Sequence, residues 1–146
     1  MPQILSRRSN LPVHQAVDGM ELDPGSIYLA PPDRHMLINR DGTVSLTQTE
    51  LVNFVRPSAD LLFESVAASY GERAIAVVLT GAGKDGSMGV TAIKARGGTV
   101  IVQDEASSEF FGMPSAAIRT GIVDFILSLD EIPDALLTLV AGEARD

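Results

Sequence analysis

The chain has 146 residues, 45% of them hydrophobic and 21% charged, the balance of one folded globular domain rather than a disordered segment. A net charge of −8 argues against a nucleic-acid partner, and the absence of cysteine excludes a disulfide framework and a thiolate metal site. No apolar run reaches the length of a membrane span and the first residues lack a signal-peptide layout, so a cytoplasmic protein with no membrane insertion is expected.

Met1 to Asn10, with two arginines, reads as the tail of a helix. Leu11 to Val17 reads as a short strand ending at Asp18-Gly19, and Asp23-Pro24-Gly25 as a second turn. Ile27 to Ala30 is a short buried strand stopped by Pro31-Pro32. His35 to Thr49 predicts a hairpin: Met36, Ile38, Val44 and Leu46 alternate in two arms around Asn39-Arg40-Asp41-Gly42. Arg56-Pro57-Ser58 opens a helix, with Ser58 as its cap and Asp60 at the positive end of its dipole. Leu62, Phe63, Val66, Ala67 and Tyr70 form its apolar face, and Gly71 ends it.

A β-favouring run from Ala74 to Leu79 then stops at Thr80-Gly81-Ala82-Gly83-Lys84-Asp85-Gly86, and a helix over Ser87 to Arg96 follows. A strand over Thr99 to Gln103, a helix over Pro114 to Thr120, a strand over Ile122 to Leu127 and a helix over Glu131 to Ala141 complete β-α-β-α-β-α. That order predicts an α/β fold class, a doubly wound parallel sheet with an inserted β-hairpin, in a single domain. A strand, glycine-rich turn and helix place functional groups at the carboxyl edge of such a sheet. Asp85 sits at the crest of this turn, and the chemistry is expected near it.

Two readings of the turn stand beside a bland one. Gly81-x-Gly83-x-x-Gly86, with Asp104 23 residues after Gly81, is nearly the dinucleotide fingerprint, although Lys84-Asp85 would put an acid against the pyrophosphate. Asp85 also suits the acid that orients a histidine in a hydrolase triad. The bland alternative is a tight turn whose carboxylate caps a helix. Of the two histidines, His14 alternates within an apolar strand and reads as structural, whereas His35, at the start of the hairpin, reads as nearer a functional edge. Arg56 is either a surface residue or a clamp for an anionic group. Gln103 to Ser108 and Phe111 to Pro114 are either ordinary loop and helix start or one wall of a cleft at the sheet edge. No His/Asp/Glu cluster has metal-ligand spacing, so no metal site is expected.

Five ordered blocks carry a resemblance: Pro24-Gly25-x-x-Tyr28-x-Ala30-Pro31 through His35-Met36, Arg56 to Phe63, Leu79 to Gly86, Gln103 to Ser107 and Phe111 to Pro114. The chain resembles the catalytic domain of the bacterial chemotaxis protein-glutamate methylesterases over essentially its whole length. The resemblance implies a three-layer α/β domain and cofactor-free hydrolysis of γ-glutamyl methyl esters on chemoreceptor cytoplasmic helices, with glutamine deamidation in many members. It also implies a Ser-His-Asp triad whose acid is Asp85. Gly81, Ala82 and Gly83 would lie by the oxyanion hole, with Ala82 where the family usually has methionine. His35, Arg56, Ser58, Gln103 and Met113 would contribute to the substrate cleft.

In the family the nucleophilic serine and the basic histidine precede the matched blocks, and Ile4 to Asn10 resembles the helix after that histidine. The expectation is therefore a partial catalytic domain without receiver domain, first strands, nucleophile or base, inactive alone. It would self-associate or pair with a separate N-terminal segment through its unpaired strand edges. The other class of function left open is a catalytically inactive receptor-binding or assembly module. A substitute triad from Ser58 or Ser87 with His35 finds no base placed beside either hydroxyl in the sequence.

Overall fold

The computed structural model describes residues 11–52 and 55–145, with side chains as far as residue 141, so the helical expectation for Met1 to Asn10 lies outside the described residues. Among them the order is β1 (Val13–Gln15), β2 (Ile27–Leu29), β3 (His35–Ile38), β4 (Val44–Thr47), α1 (Ala59–Tyr70), β5 (Ile75–Val78), α2 (Ser87–Ala95), β6 (Thr99–Gln103), α3 (Gly112–Arg119), β7 (Phe125–Leu127) and α4 (Ile132–Arg145). Short 3-10 turns follow α1 and precede α4.

The second half is the expected β-α-β-α-β-α. Its strands form a parallel sheet in the order β5-β6-β7, with Val78 opposite Val102 and Gln103 opposite Leu127. Because side chains alternate along a strand, Ala74, Ala76, Val78, Val100 and Val102 meet one set of helices. They pack with Val90 and Ile93 of α2, Ala117 of α3 and Ala67 of α1. Each fully buried Val or Ile there contributes about 1.5–3 kcal/mol.

The hairpin pairs Met36 with Leu46 and Ile38 with Val44, as its alternation predicts. With Ala16, Tyr28 and Leu62 it builds a second apolar cluster. Val66 and Tyr70 touch both clusters, so α1 is the wall between them. Its opposite contact is with α2, where Gly89 makes the approach possible. A Cβ at Gly89 would stand 2.7 Å from Phe63 Cβ and 3.1 Å from Asp60 Cα. The two helices therefore begin side by side, and the turn before α2 lies against the start of α1.

The first strand is shorter than the expected Leu11 to Val17 and the last helix runs past Ala141 to Arg145; two further boundaries differ for a visible reason. The strand predicted over Ile122 to Leu127 forms only at Phe125–Leu127, because the Asp124 carboxylate takes the Val100 amide (2.8 Å) at the point where the ladder would start. Ile122 and Val123 pack against the core without joining the sheet. Helix α3 starts at Gly112 rather than Pro114, which places the proline in the first turn, where its missing N–H costs nothing.

Candidate active site

Asp85 ends the turn after β5 and is buried, with 8% of its surface exposed. Its carboxylate does not cap its own helix. Oδ1 accepts from the Ser58 hydroxyl (2.8 Å) and the Asp60 amide (3.2 Å), and Oδ2 from the Ala59 amide (2.5 Å). Three of the roughly four lone-pair positions of a carboxylate are filled by the start of α1, whose dipole also favours the charge. Oδ2 keeps one position for a further donor among the described residues.

Asp60 returns the arrangement. Its carboxylate, expected to serve the dipole of its own helix, instead accepts from the Gly86 amide (2.9 Å) and the Gly89 amide (2.8 Å) at the start of α2. Each helix thus supplies the acid that satisfies the free amides of the other. The same bonds dispose of the dinucleotide reading. The helix N-terminus where a pyrophosphate would sit already holds the Asp60 carboxylate. Asp104, the candidate ribose ligand, accepts from the Ser107 amide and hydroxyl within its own loop.

A cavity of about 400 Å³ opens beside Asp85, lined by Ala30, Met36, Val55, Pro57, Ser58, Ala59, Leu62, Ala82 and Met113. Of the residues singled out from the sequence, it brings together Asp85, Ser58, Ala82 and Met113. His35, Arg56 and Gln103 lie outside its lining. His35 is fully buried, with Nδ1 accepting from the Ser58 amide (3.1 Å) and Nε2 bonded to the Glu50 carbonyl (2.8 Å). Those partners fix the neutral tautomer with the proton on Nε2 and leave no ring nitrogen for catalysis. Arg56 grips the Asp33 carboxylate (2.7 Å) and the Thr49 carbonyl (3.1 Å). Gln103 is fully buried under the turn, holding the Thr80 amide (2.8 Å) and the Ser107 carbonyl (2.7 Å).

The turn itself is braced from α3. The Gly81 amide donates to the Phe110 carbonyl (2.8 Å), and the Gly81 carbonyl accepts from the Met113 amide (2.9 Å). A Cβ on Gly112 would come within 2.8 Å of the Gly83 carbonyl oxygen, so only glycine allows this contact. With the Gly81 amide engaged, the amides of Ala82, Gly83, Lys84 and Asp85 bond to no described residue, and Ala82 lines the cavity. Neither serine has a base. The Ser58 hydroxyl goes to Asp85, and that of Ser87 to the Lys84 carbonyl (3.3 Å).

A buried carboxylate after a parallel strand, held by three donors beside free turn amides and an apolar cavity, marks an α/β domain with its polar site at the carboxyl edge of the sheet. The comparisons give the class a family. Residues 1–136 match CheB methylesterase. The crystal structure of the Thermotoga maritima CheB methylesterase catalytic domain superposes with a TM-score of 0.90 at 39% identity, covering 94% of this chain and 75% of that one. A Moorella thermoacetica protein-glutamate methylesterase/protein-glutamine glutaminase is 43% identical over 142 residues, and one from Rhodopseudomonas palustris 44% over 142 residues. The chain spans only 34% and 37% of those two relatives, but 71% of a Leptospira interrogans relative that is 41% identical. The chain belongs to the CheB methylesterase family.

Proposed function

We propose that this chain furnishes the acid arm and part of the cleft of a protein-glutamate methylesterase, acting on glutamyl methyl esters of chemoreceptor cytoplasmic helices. Asp85 carries the reading, since its carboxylate is held by three donors and retains one acceptor position beside a cavity. An imidazole N–H bound there would be fixed in orientation, and the imidazolium formed during acyl transfer would be stabilised. The reaction runs by attack of a serine on the ester carbonyl with loss of methanol, then hydrolysis of the acyl-enzyme to glutamate. The amides of Ala82 and Gly83 are the candidate oxyanion donors, which makes alanine at position 82 compatible with the chemistry.

The serine and the histidine come, in this reading, from a segment beyond the described residues. Supporting that view, among the described residues β5 pairs only with β6 and the parallel pair β1-β2 joins no other strand, and Leu79, Phe110 and Met88 expose apolar surface. Parallel strands are normally buried within larger sheets, so these edges suit further strands or a second copy. Because no described serine has a base, a second reading is retained: a receptor-binding module without chemistry of its own.

Labelling with a serine-directed fluorophosphonate separates the two. With the N-terminal segment of a relative's catalytic domain supplied, the label is expected on a serine of that segment, and residues 1–146 alone take up none. Label on Ser58 or Ser87 would overturn the assignment. No label anywhere, with receptor binding intact, would establish the non-catalytic module.

A further inference from the structure

We infer that Ser58 is a positioning residue for the triad acid rather than a substrate contact, and that His35 and Asp60 complete the frame in which it works; the inference rests on the methylesterase reading above. Ser58 stands at the N-cap of α1 with extended backbone (φ −107°, ψ 130°), the place where a serine hydroxyl ordinarily accepts from its own helix. It makes no such bond. Its hydroxyl is turned outward from the helix as a donor to Asp85 Oδ1, and Asp85 takes over the capping of the Ala59 and Asp60 amides.

The exchange holds the carboxylate in one orientation. The helix amides alone would satisfy its charge. The Ser58 hydroxyl adds a second bond to Oδ1, so that Oδ1 is filled from two sides and the remaining position falls on Oδ2. The choice of oxygen is thereby fixed. A histidine entering the cavity has one acceptor to find, and the carboxylate has no rotation that would present the other.

The frame behind Ser58 is equally determined. Its amide, which would otherwise point into the protein unpaired, donates to His35 Nδ1, and His35 is anchored in turn on the Glu50 carbonyl. Ser58 has 2% of its surface exposed and His35 none, so neither side chain has an alternative partner in solvent. Asp60 holds the other end by accepting from the amides of Gly86, directly after Asp85, and of Gly89 one turn further on. Asp85 is thus clamped along its backbone by Asp60 and at its carboxylate by Ser58.

A residue that contacts substrate and one that orients the acid lose different things when altered. With the N-terminal segment of a relative's catalytic domain supplied and methanol release from methylated receptor fragments as the assay, Ser58→Ala is expected to lower kcat about tenfold or more at unchanged KM, the cost of a carboxylate free to turn. Ser58→Thr keeps the hydroxyl and is expected to recover most of the loss. Unfolding midpoints and the stoichiometry of fluorophosphonate label normalise each rate to intact sites. A rise in KM with kcat retained would assign Ser58 to the substrate instead. Equal losses in the alanine and threonine variants at full label stoichiometry would overturn the positioning role, as would wild-type kcat in Ser58→Ala. Absence of methanol release from the wild type would remove the methylesterase reading and this inference with it, whereas wild-type release abolished by Asp85→Ala keeps the reading whatever Ser58 does.

Discussion

At the scale of single residues, the sequence located Asp85 correctly in the turn but not the direction of its bonds. A carboxylate just ahead of Ser87-Met88-Gly89 reads as a cap for that helix, and Asp60 in the first turn of α1 reads as its own dipole partner. The fold exchanges them, each acid serving the neighbouring helix. No periodicity carries that information, because it depends on Gly89 letting Phe63 and Asp60 approach. His35 shows the same limit from the other side. Its place at the hairpin start suggested a functional edge, and it is a buried strut between two backbone groups. His35→Ala should therefore destabilise the protein by about 3 kcal/mol, the cost of a buried void together with a Ser58 amide and a Glu50 carbonyl left unpaired. Urea unfolding checks this, and a midpoint within error of wild type would show that His35 is dispensable to the frame.

At the scale of elements, alternation and helix punctuation were sufficient for most boundaries. Thr99 to Gln103 forms the strand its β-branched run predicts, and Met36, Ile38, Val44 and Leu46 form the two arms of the hairpin. The strand ending in Leu127 is shorter than its apolar run predicts because the Asp124 carboxylate, rather than a backbone carbonyl, takes the Val100 amide. The same carboxylate accepts from Lys94 Nζ (2.6 Å) and from the Val100 amide (2.8 Å), tying the last turn of α2 to the start of β6. Partial burial pushes the Asp124 carboxyl up, but the Lys94 hydrogen bond, the Val100 amide and the Lys94 charge outweigh it and leave its pKa lowered. A carboxyl with a depressed folded-state pKa adds stability that is present above its unfolded value. That stability is lost as pH falls through the folded one. Lys94 is 41% exposed, so screening leaves the ion pair worth well under about 1 kcal/mol, and the Val100 bond is the larger part. Asp124→Ala should cost about 1 kcal/mol near neutrality. The gap from wild type should close only below about pH 4, the unperturbed Asp range. Chemical denaturation of both proteins across pH 3–7 measures it, and a gap independent of pH would contradict the assignment.

At the scale of the whole molecule, the doubly wound character was legible from element order, and the superposition on the Thermotoga maritima catalytic domain bears it out. The cavity was not legible. It forms where α1, the β5–α2 turn, α3 and the chain around Ala30 and Met36 converge, and those segments lie far apart in sequence. Ser58 and Met113 line it, whereas Arg56 and Gln103 brace the loops around it. The resulting view is of an acid whose orientation is set by two helix starts and a serine hydroxyl, waiting on a base beside Oδ2. Methanol release from methylated chemoreceptor fragments by the chain completed with a relative's N-terminal segment, wild type against Asp85→Ala, tests that view most directly. A loss of about 10³–10⁴-fold in kcat, with receptor binding retained, is the expected result for removal of the acid that orients a triad histidine. Methanol release by Asp85→Ala at the wild-type rate would contradict it and return Asp85 to the role of a helix cap.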